Sequence, residues 1–143
     1  MSYVRIWIHG VWGTKNRFPY LTKEVKAKVI EHIRENAKGK EMFIDTIDGH
    51  VEHLHCLMAL NADLSISKTM QLIKGESAFW INKYKITPRN FEWADEYFAV
   101  SVSESMLDKV RAYINNQEEH HRKISFQEEY EKFMRSYKFP GQG

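Results

Sequence analysis

Two histidines two residues apart, His53 and His55, are the side chains of this sequence best suited to bind a metal ion. They lie within an apolar run, residues 51–60, of the kind that forms a buried strand. Alternate residues of a strand point to the same side, so the two imidazoles project together, ~6.5 Å apart at the backbone. Burying imidazoles is costly unless their nitrogens are hydrogen-bonded or coordinated. The pair therefore fits a metal site, and it also fits two histidines satisfied by ordinary hydrogen bonds.

A second pair of chemically capable side chains, Tyr113 and Gln117, lies four residues apart near the end of the sequence. On a helix this spacing places both side chains on one face, with Asn116 close by. A phenol with a pKa of ~10 is a poor nucleophile at neutral pH unless a metal ion or a base assists it, whereas an amide oxygen is a hard metal ligand. The same spacing also fits a packed tyrosine beside a solvated glutamine.

The elements that must position these residues follow from hydrophobic spacing and from helix caps. Thr22 is suited to cap a helix that stops near Gly39, Ser67 can cap the next helix, and Ser125 with Glu128 forms a capping box for the last helix. The turn-forming pair Asp48-Gly49 predicts a hairpin. The predicted elements are strands over 3–11, 41–46, 51–60 and 96–102, and helices over 22–39, 67–84 and 104–119, followed by a helix that opens at Ser125.

The order of these elements, βαββαβ with two further helices, predicts an α+β fold of the ferredoxin-like (RRM-like) type. In this fold the helices cover one face of an antiparallel sheet and leave the other face free for a ligand or partner. A length of 143 residues with 43% hydrophobic residues fits a single domain over residues 1–143. The helix that carries Tyr113 belongs to the C-terminal additions to this fold.

Composition excludes some classes of protein. No stretch approaches the ~20 apolar residues needed to span a bilayer, and the N-terminus lacks the continuous apolar run of a signal peptide. The single cysteine, Cys56, cannot form an internal disulfide and fits a small core side chain. We therefore expect a soluble, cytoplasmic protein with no membrane partner. A net charge of +2 is a poor argument for nucleic acid, and the basic clusters fit either a DNA-binding surface or solvated helix faces.

Taken in order along the chain, these motifs resemble the HUH single-tyrosine transposases of the insertion sequence 200/605 class, a family of small transposases that act on single-stranded DNA. The similarity covers nearly the whole chain and depends on the recurrence of motif, order and spacing. The matching segments are Val11-Trp12-Gly13-Thr14-Lys15 with Arg17, Glu52-His53-Leu54-His55-Cys56-Leu57, Ser65-Ile66-Ser67-Lys68, Leu72-Ile73-Lys74-Gly75, Trp93 with Tyr97-Phe98, and Val110 through Gln117.

The resemblance implies roles for four residues. His53 and His55 are the histidine ligands of a divalent metal ion, Mg²⁺ or Mn²⁺, and Gln117 is the third protein ligand. Tyr113 is the nucleophile, which forms a 5′-phosphotyrosine link while freeing a 3′-hydroxyl. The expected activity is metal-assisted cleavage and rejoining of single-stranded DNA at insertion-sequence ends. The covalent intermediate conserves the bond energy for strand transfer without ATP.

The resemblance also implies a DNA substrate with imperfect hairpins near its ends, and a homodimer in which the tyrosine helix of one subunit completes the histidine site of the other. The sequence does not decide between such a composite site and one built within a single chain. The residues best suited to contact phosphates are Lys15, Arg17, Lys68 and Lys74. Trp12 or Trp93 could stack on an unpaired base, or could pack in the core.

The chain departs from the family pattern in two respects. Asp95-Glu96 stands where relatives often carry a glycine, which puts the local turn in doubt. The histidines at 50, 120 and 121 have no counterpart in the motifs, so we expect surface positions for them. Two other functions remain open: a domesticated relative that processes repeated palindromes for its host, and a non-catalytic module that binds single-stranded nucleic acid.

Overall fold

A four-stranded antiparallel sheet forms the centre of the computed structural model, which describes residues 2–137, with the strands in the order β2-β3-β1-β4. This order and the βαββαβ connectivity confirm the predicted ferredoxin-like α+β fold. The elements are β1 (Trp7–Gly13), α1 (Lys23–Gly39), β2 (Phe43–His50), β3 (His53–Ala59), α2 (Ile66–Lys83), β4 (Phe98–Val102), α3 (Leu107–Asn115), α4 (Gln117–His120) and α5 (Phe126–Ser136).

Strand β3 is central, because it pairs with β1 on one side and with β2 on the other. In this register His55 lies opposite Val11 of β1 and Asp48 of β2. Residues directly opposite each other in an antiparallel pair share a face of the sheet. The face that carries His53 and His55 therefore also carries the odd-numbered residues of β1, including His9.

The two faces of the sheet are packed by different helices. Helices α1 and α2 pack against the face that carries Trp12, Leu54 and Met58, and form the larger core. The opposite face was expected to be free, and this expectation is wrong. Apolar side chains of α3 and α5, among them Ile114 and Phe126, pack against it. Burying these apolar stripes favours closure of the second face, which also encloses the two histidines.

Strand β1 begins four residues later than predicted. Its partners β3 and β4 end opposite Trp7, so the ladder stops there, although Leu60 still donates a backbone hydrogen bond to Ile6. The preceding residues alternate as a strand would, yet Tyr3 is 91% exposed. The alternation of residues 3–11 correctly predicted a strand in this region. It did not predict where the strand begins, because that depends on the strands that pair with it.

The hairpin turn lies at Val51-Glu52, and the predicted turn at Asp48-Gly49 is wrong. Gly49 lies within β2, opposite Leu54 of β3. Its backbone runs so close to β3 that a Cβ would collide with the carbonyl oxygen of His53 and come within 2.8 Å of the Leu54 Cα. Glycine is therefore required here by close approach of two strands and not by a turn.

The helix caps follow the sequence in two of three cases. The Thr22 cap of α1 and the Ser125–Glu128 capping box of α5 are confirmed. Helix α2 begins after Ser65 instead of Ser67, because the Ser65 hydroxyl accepts from the backbone N–H of Lys68. Within residues 2–137, none of the helices is long and apolar enough to cross a membrane.

The predicted continuous helix over 104–119 is divided into three pieces. A 3₁₀ turn, Glu104–Met106, precedes α3, and Asn116 breaks the helix between α3 and α4 with φ −105° and ψ 23°. The Asn116 N–H bonds to the carbonyl of Tyr113 in a tightened turn. Tyr113 and Gln117 thus lie on opposite sides of this break.

We expect Gly49→Ala to lower the free energy of unfolding by about 3 kcal/mol, because the new methyl group meets backbone that cannot move aside. The matched control is Gly75→Ala within α2, where a Cβ meets nothing within 4 Å. That change should raise the free energy of unfolding by about 0.5–1 kcal/mol through better helix propensity. Urea denaturation of both variants measures the difference, and shifts of the same sign would contradict the assignment of Gly49.

Candidate active site

The imidazoles of His53 and His55 project from β3 beneath the C-terminal helices and have no exposed surface. Each Nδ1 has a partner, one in the β2–β3 turn and one on β1. Nδ1 of His53 donates to Oε1 of Glu52 at 2.8 Å, and Nδ1 of His55 lies 2.9 Å from Nε2 of His9. Such contacts fix the ring orientation of metal-binding histidines in proteins. Both Nε2 atoms consequently face the space below α4 and α5.

The protonation states of the three histidines differ. Burial lowers the pKa of His55 to about 4, and burial together with the neighbouring His55 lowers the pKa of His9 to about 3. Burial also opposes protonation of His53, but its hydrogen bonds to Glu129 and Glu52 outweigh this effect and raise the pKa. At neutral pH His9 and His55 are therefore neutral and able to offer a lone pair.

Gln117 reaches this space from the first residue of α4 and is fully buried. Its Oε1 lies 3.1 Å from Nε2 of His53 and 3.1 Å from Nε2 of His121. Its Nε2 donates to the carbonyl oxygen of Tyr113 at 3.2 Å, which turns the amide oxygen towards the histidines. The same carbonyl oxygen also accepts from the Asn116 N–H, so it joins the tightened turn to the Gln117 side chain.

Tyr113 extends from α3 to the same cluster, with its ring centroid 5.5 Å from that of His55. The hydroxyl donates to Oε2 of Glu129 and lies 3.4 Å from Nε2 of His120. Burial and the Glu129 carboxylate raise the pKa of Tyr113 well above its usual value. The structure therefore brings His53, His55, Tyr113 and Gln117 together within one chain, with the phenol in its neutral form.

Glu129, on α5, is the central residue that the sequence patterns did not identify. It is buried, and its Oε1 lies 3.1 Å from Nε2 of His55 and 3.4 Å from Nε2 of His53. Burial opposes ionisation, but hydrogen bonds from His121, His53 and His55 outweigh it and hold the pKa far below the usual range. The sequence does contain one sign that Glu129 is buried. It lies three residues after Phe126 and four before Phe133, on the apolar face of α5 that packs against the sheet.

The histidines expected at the surface occupy different environments. His121 contradicts the expectation, because its side chain is only 2% exposed and its Nε2 lies 3.4 Å from Oε1 of Glu129. His120 is partly exposed and bonds to Oε2 of Glu129 at 2.9 Å. His50 is also partly exposed and stacks on His121, with ring centroids 5.2 Å apart. The sequence motifs missed these residues because their positions depend on the turn after α4.

Helix α5 covers the histidine pair. The ring of Phe126 stacks on that of His53 with centroids 4.0 Å apart, and the guanidinium of Arg17 lies 5.3 Å from the Phe126 centroid. A Cβ at Gly13 would lie 2.9 Å from the Phe126 ring, so the glycine in β1 makes room for this contact. Arg17 is thus the predicted DNA-contact residue that adjoins the cluster.

The other three residues predicted to contact DNA lie away from the cluster. Lys15 is exposed and pairs with Glu92 at 2.7 Å, and Lys68 is exposed on the first turn of α2. Lys74 donates to the backbone carbonyls of Asp95 and Glu96 at 2.9 and 3.4 Å, so it stabilises the segment that departs from the family pattern.

The two candidate tryptophans have a structural role. Trp12 and Trp93 are both buried, with ring centroids 6.0 Å apart in an edge-to-face arrangement. The Trp93 indole donates to the hydroxyl of Ser77 at 2.9 Å. Of the two alternatives left open by the sequence, the core position is the one observed.

A divalent metal ion fits this donor set. His53, His55 and Glu129 offer ligand atoms that all lie within 4.8 Å of one another, and Gln117 adds an amide oxygen next to His53. Imidazole nitrogens whose other ring nitrogen is hydrogen-bonded, and oxygen atoms of carboxylate and amide groups, are donors that divalent metal ions bind in proteins. His120 and His121 form a second group with the same Glu129.

We expect His9→Phe to weaken Mn²⁺ binding by about 10–100-fold, because it removes the partner of the His55 Nδ1 atom. Calorimetric titration with MnCl₂ measures this effect. The control is His32→Phe, since His32 bonds to Glu76 between α1 and α2 on the other side of the sheet. Equal Mn²⁺ affinity in the His9 variant and the unchanged protein would contradict a supporting role for His9.

Solved structures with the same fold include two transposases. One is a protein from Deinococcus radiodurans R1 provisionally described as a transposase, with 24% identity, coverage of 82% of this chain and 95% of that chain, and a TM-score of 0.63. The other is a REP-associated tyrosine transposase bound to a REP hairpin, with 16% identity, coverage of 87% and 73%, and a TM-score of 0.65.

A search of curated protein sequences gave no match. A family model does match, and its description is "Transposase IS200 like". The match extends over residues 2–117, which include β1 through α3 and end at Gln117. With the histidine pair, Tyr113 and Gln117 all inside the matched range and assembled in one cluster, the chain belongs to the IS200-like transposases.

Proposed function

We propose that this transposase cleaves and rejoins single-stranded DNA through a covalent 5′-phosphotyrosine intermediate on Tyr113. A divalent metal ion held by His53, His55 and Gln117 would assist the reaction. The observation that carries the proposal is the convergence of the Tyr113 hydroxyl with two buried histidines whose Nδ1 atoms are already engaged. The alternative, in which Tyr113 only packs and Gln117 is solvated, does not account for a Gln117 side chain that is fully buried next to His53.

In the proposed reaction the Tyr113 oxygen attacks the scissile phosphorus, the bond from phosphorus to the 3′ oxygen breaks, and that oxygen leaves as a 3′-hydroxyl. Rejoining reverses these steps with the 3′-hydroxyl of another strand as attacking group, so one phosphodiester replaces another without ATP. The phenol must lose its proton to water, a step that a bound divalent ion would assist. Nε2 of His120 bonds to the Glu129 carboxylate at 2.9 Å and therefore carries a hydrogen, so it does not accept this proton.

A bound Mg²⁺ or Mn²⁺ would stabilise negative charge on the phosphate oxygens, and Mn²⁺ tolerates the imidazole ligands better. The chain's own residues set the geometry. The Gln117 oxygen is oriented by the hydrogen bond from its amide nitrogen to the Tyr113 carbonyl, which links the metal position to the helix that carries the nucleophile. This link favours a fixed distance between ion and nucleophile, which in-line attack requires.

We propose DNA with hairpin ends as the substrate, supported by family membership and by the shared fold of the transposase solved with a REP hairpin. Phosphate contacts are assigned to the four basic residues Lys15, Arg17, Lys68 and Lys74. Arg17 would link DNA binding to the active site, because it packs on Phe126, which in turn stacks on His53.

A homodimer, as expected from the resemblance, is part of the proposal for strand transfer. Because Tyr113 and Gln117 contact the histidines of their own chain, cleavage can be carried out by one subunit. A second subunit would then serve to hold the second DNA end and not to complete the first site.

We expect Tyr113→Phe to abolish the covalent protein–DNA adduct, because the attacking oxygen is removed. The assay incubates the protein with end-labelled single-stranded DNA from the hairpin-bearing element end, with Mn²⁺ or with EDTA, and resolves adducts by denaturing gel electrophoresis. Tyr84→Phe, the same change at a 60% exposed tyrosine on the other side of the sheet, should leave the adduct intact. EDTA should remove the adduct from the unchanged protein.

If hairpin binding persists while no candidate DNA end gives an adduct with Mn²⁺, the chain is a non-catalytic nucleic-acid-binding module and the catalytic proposal fails. An adduct that survives Tyr113→Phe would instead assign the nucleophile to another residue.

We expect alanine at Lys15, Arg17, Lys68 or Lys74 to weaken hairpin binding and to reduce the slope of log K against log[salt] by about 1 for each phosphate that the side chain neutralises. Lys28→Ala on α1, where Lys28 pairs with Glu24, is the control and should keep the slope. Fluorescence anisotropy at several salt concentrations measures both quantities. A basic residue whose removal leaves the slope unchanged is excluded from the DNA-binding surface.

A further inference from the structure

Glu129 joins the two halves of the candidate site. One carboxylate oxygen faces the Nε2 atoms of both histidines, and the other accepts the hydroxyl hydrogen of Tyr113. Resting on the proposed function, we propose that Glu129 is a ligand of the metal ion through Oε1 and a positioning residue for Tyr113 through Oε2. Helix α5, which lies beyond the residues that the family model matches, thereby completes the active site.

The distances among the donor atoms match a coordination shell. For bonds of ~2.1 Å, neighbouring ligand atoms at a right angle about a metal ion are ~3.0 Å apart. Oε1 of Glu129 lies 3.1 Å from Nε2 of His55 and 3.4 Å from Nε2 of His53, and Oε1 of Gln117 lies 3.1 Å from the same His53 atom. These three separations are those of adjacent ligand atoms on one ion, and the atoms of His53, His55 and Glu129 all lie within 4.8 Å of one another.

Charge supports the same assignment. Two imidazoles and an amide provide no negative charge, and a divalent cation enclosed with them would be costly to transfer from water. Glu129 supplies the missing anion, because both of its oxygens face hydrogen-bond donors, namely imidazole nitrogens and the Tyr113 hydroxyl, which favour the ionised carboxylate. Mg²⁺ and Mn²⁺ both favour carboxylate oxygen as a ligand.

The second oxygen acts on the nucleophile. Because both oxygens belong to one carboxylate, an ion bound at Oε1 and a hydroxyl bound at Oε2 are held at a fixed separation. A carboxylate is a much weaker base than a phenolate, so Oε2 is better suited to hold the hydroxyl than to deprotonate it. We therefore assign Glu129 to positioning the nucleophile.

The position of the Glu129 side chain is determined by the packing of α5 on the sheet. Phe126 stacks on His53 at one end of α5, and Phe133 stacks on Phe98 of β4 with centroids 4.9 Å apart. Glu129 lies between these two contacts on the same helix face, three residues from one and four from the other. The apolar contacts place α5 on the sheet, and the carboxylate is thereby directed to the histidines.

The test measures Mn²⁺ binding to the full chain by calorimetry, for the unchanged protein, Glu129→Gln and Glu131→Gln. Glu129→Gln removes the charge and should weaken binding by about 100-fold, at the upper end of effects seen when a residue supporting a metal site is replaced. Glu131→Gln makes the same change at an exposed position of α5 and should bind Mn²⁺ like the unchanged protein. Equal Mn²⁺ affinity in all three proteins overturns the inference.

A second measurement needs no variant, so it decides the matter even if Glu129→Gln does not fold. Hydrogen exchange of the unchanged protein is followed with and without saturating Mn²⁺. A ligand on α5 predicts slower exchange of peptides covering 126–136 by about tenfold or more, together with peptides covering β3. Slower exchange of β3 with no change in α5 overturns the inference.

The outcomes separate this inference from the proposed function. If the unchanged protein binds no Mn²⁺, the metal-assisted mechanism fails and the role of Glu129 fails with it. If the unchanged protein binds Mn²⁺ and forms the Tyr113 adduct while Glu129→Gln keeps its Mn²⁺ affinity, only the role of Glu129 is overturned. Tyr113→Phe should bind Mn²⁺ as the unchanged protein does, because it keeps every proposed metal ligand.

Discussion

The structure depends on satisfying two adjacent imidazoles that are buried on one face of β3. Four ring nitrogens have to find partners where water does not reach, and an unsatisfied buried polar group costs on the order of 1–3 kcal/mol. The β2–β3 turn and strand β1 supply two partners, Glu52 and His9, behind the rings. The other two nitrogens face outward, so their partners, Gln117 and Glu129, must come from elements folded over the sheet.

This requirement explains why a fold that could expose one face of its sheet covers both. Helices α3 and α5 bring apolar side chains, which makes their docking favourable, and each carries polar groups at the point nearest the histidines. The break at Asn116 belongs to the same arrangement, because the Tyr113 carbonyl accepts both the Asn116 N–H of the tightened turn and the Gln117 amide that it orients. Apolar packing and the hydrogen bonds that the buried histidines require thus favour the same position for the C-terminal helices.

The sequence predicts local features well and long-range ones less well. The apolar run around His53 and His55 and the capping box at Ser125 depend on neighbouring residues, and both predictions were correct. The turn assigned to Asp48-Gly49 failed because strand pairing overrides the local preference of Asp-Gly for turns. Glu129 escaped prediction for a related reason: it meets His55 across 74 residues of chain, and only the docking of α5 brings them together. Tyr113 and Gln117 were found through the resemblance, since their spacing alone is common on helices.

Charge balance in the cluster shows how a proton and a metal ion can occupy the same place. Nδ1 of His53 donates to Glu52 and its Nε2 faces Oε1 of both Gln117 and Glu129, so both ring nitrogens carry hydrogen and the ring is an imidazolium. Its charge balances the Glu129 carboxylate, consistent with the raised pKa of His53 and the lowered pKa of Glu129. A cation that takes the Nε2 lone pair must displace that proton. The carboxylate therefore keeps a positive partner in either state, and the helices can remain docked whether the position holds a proton or an ion.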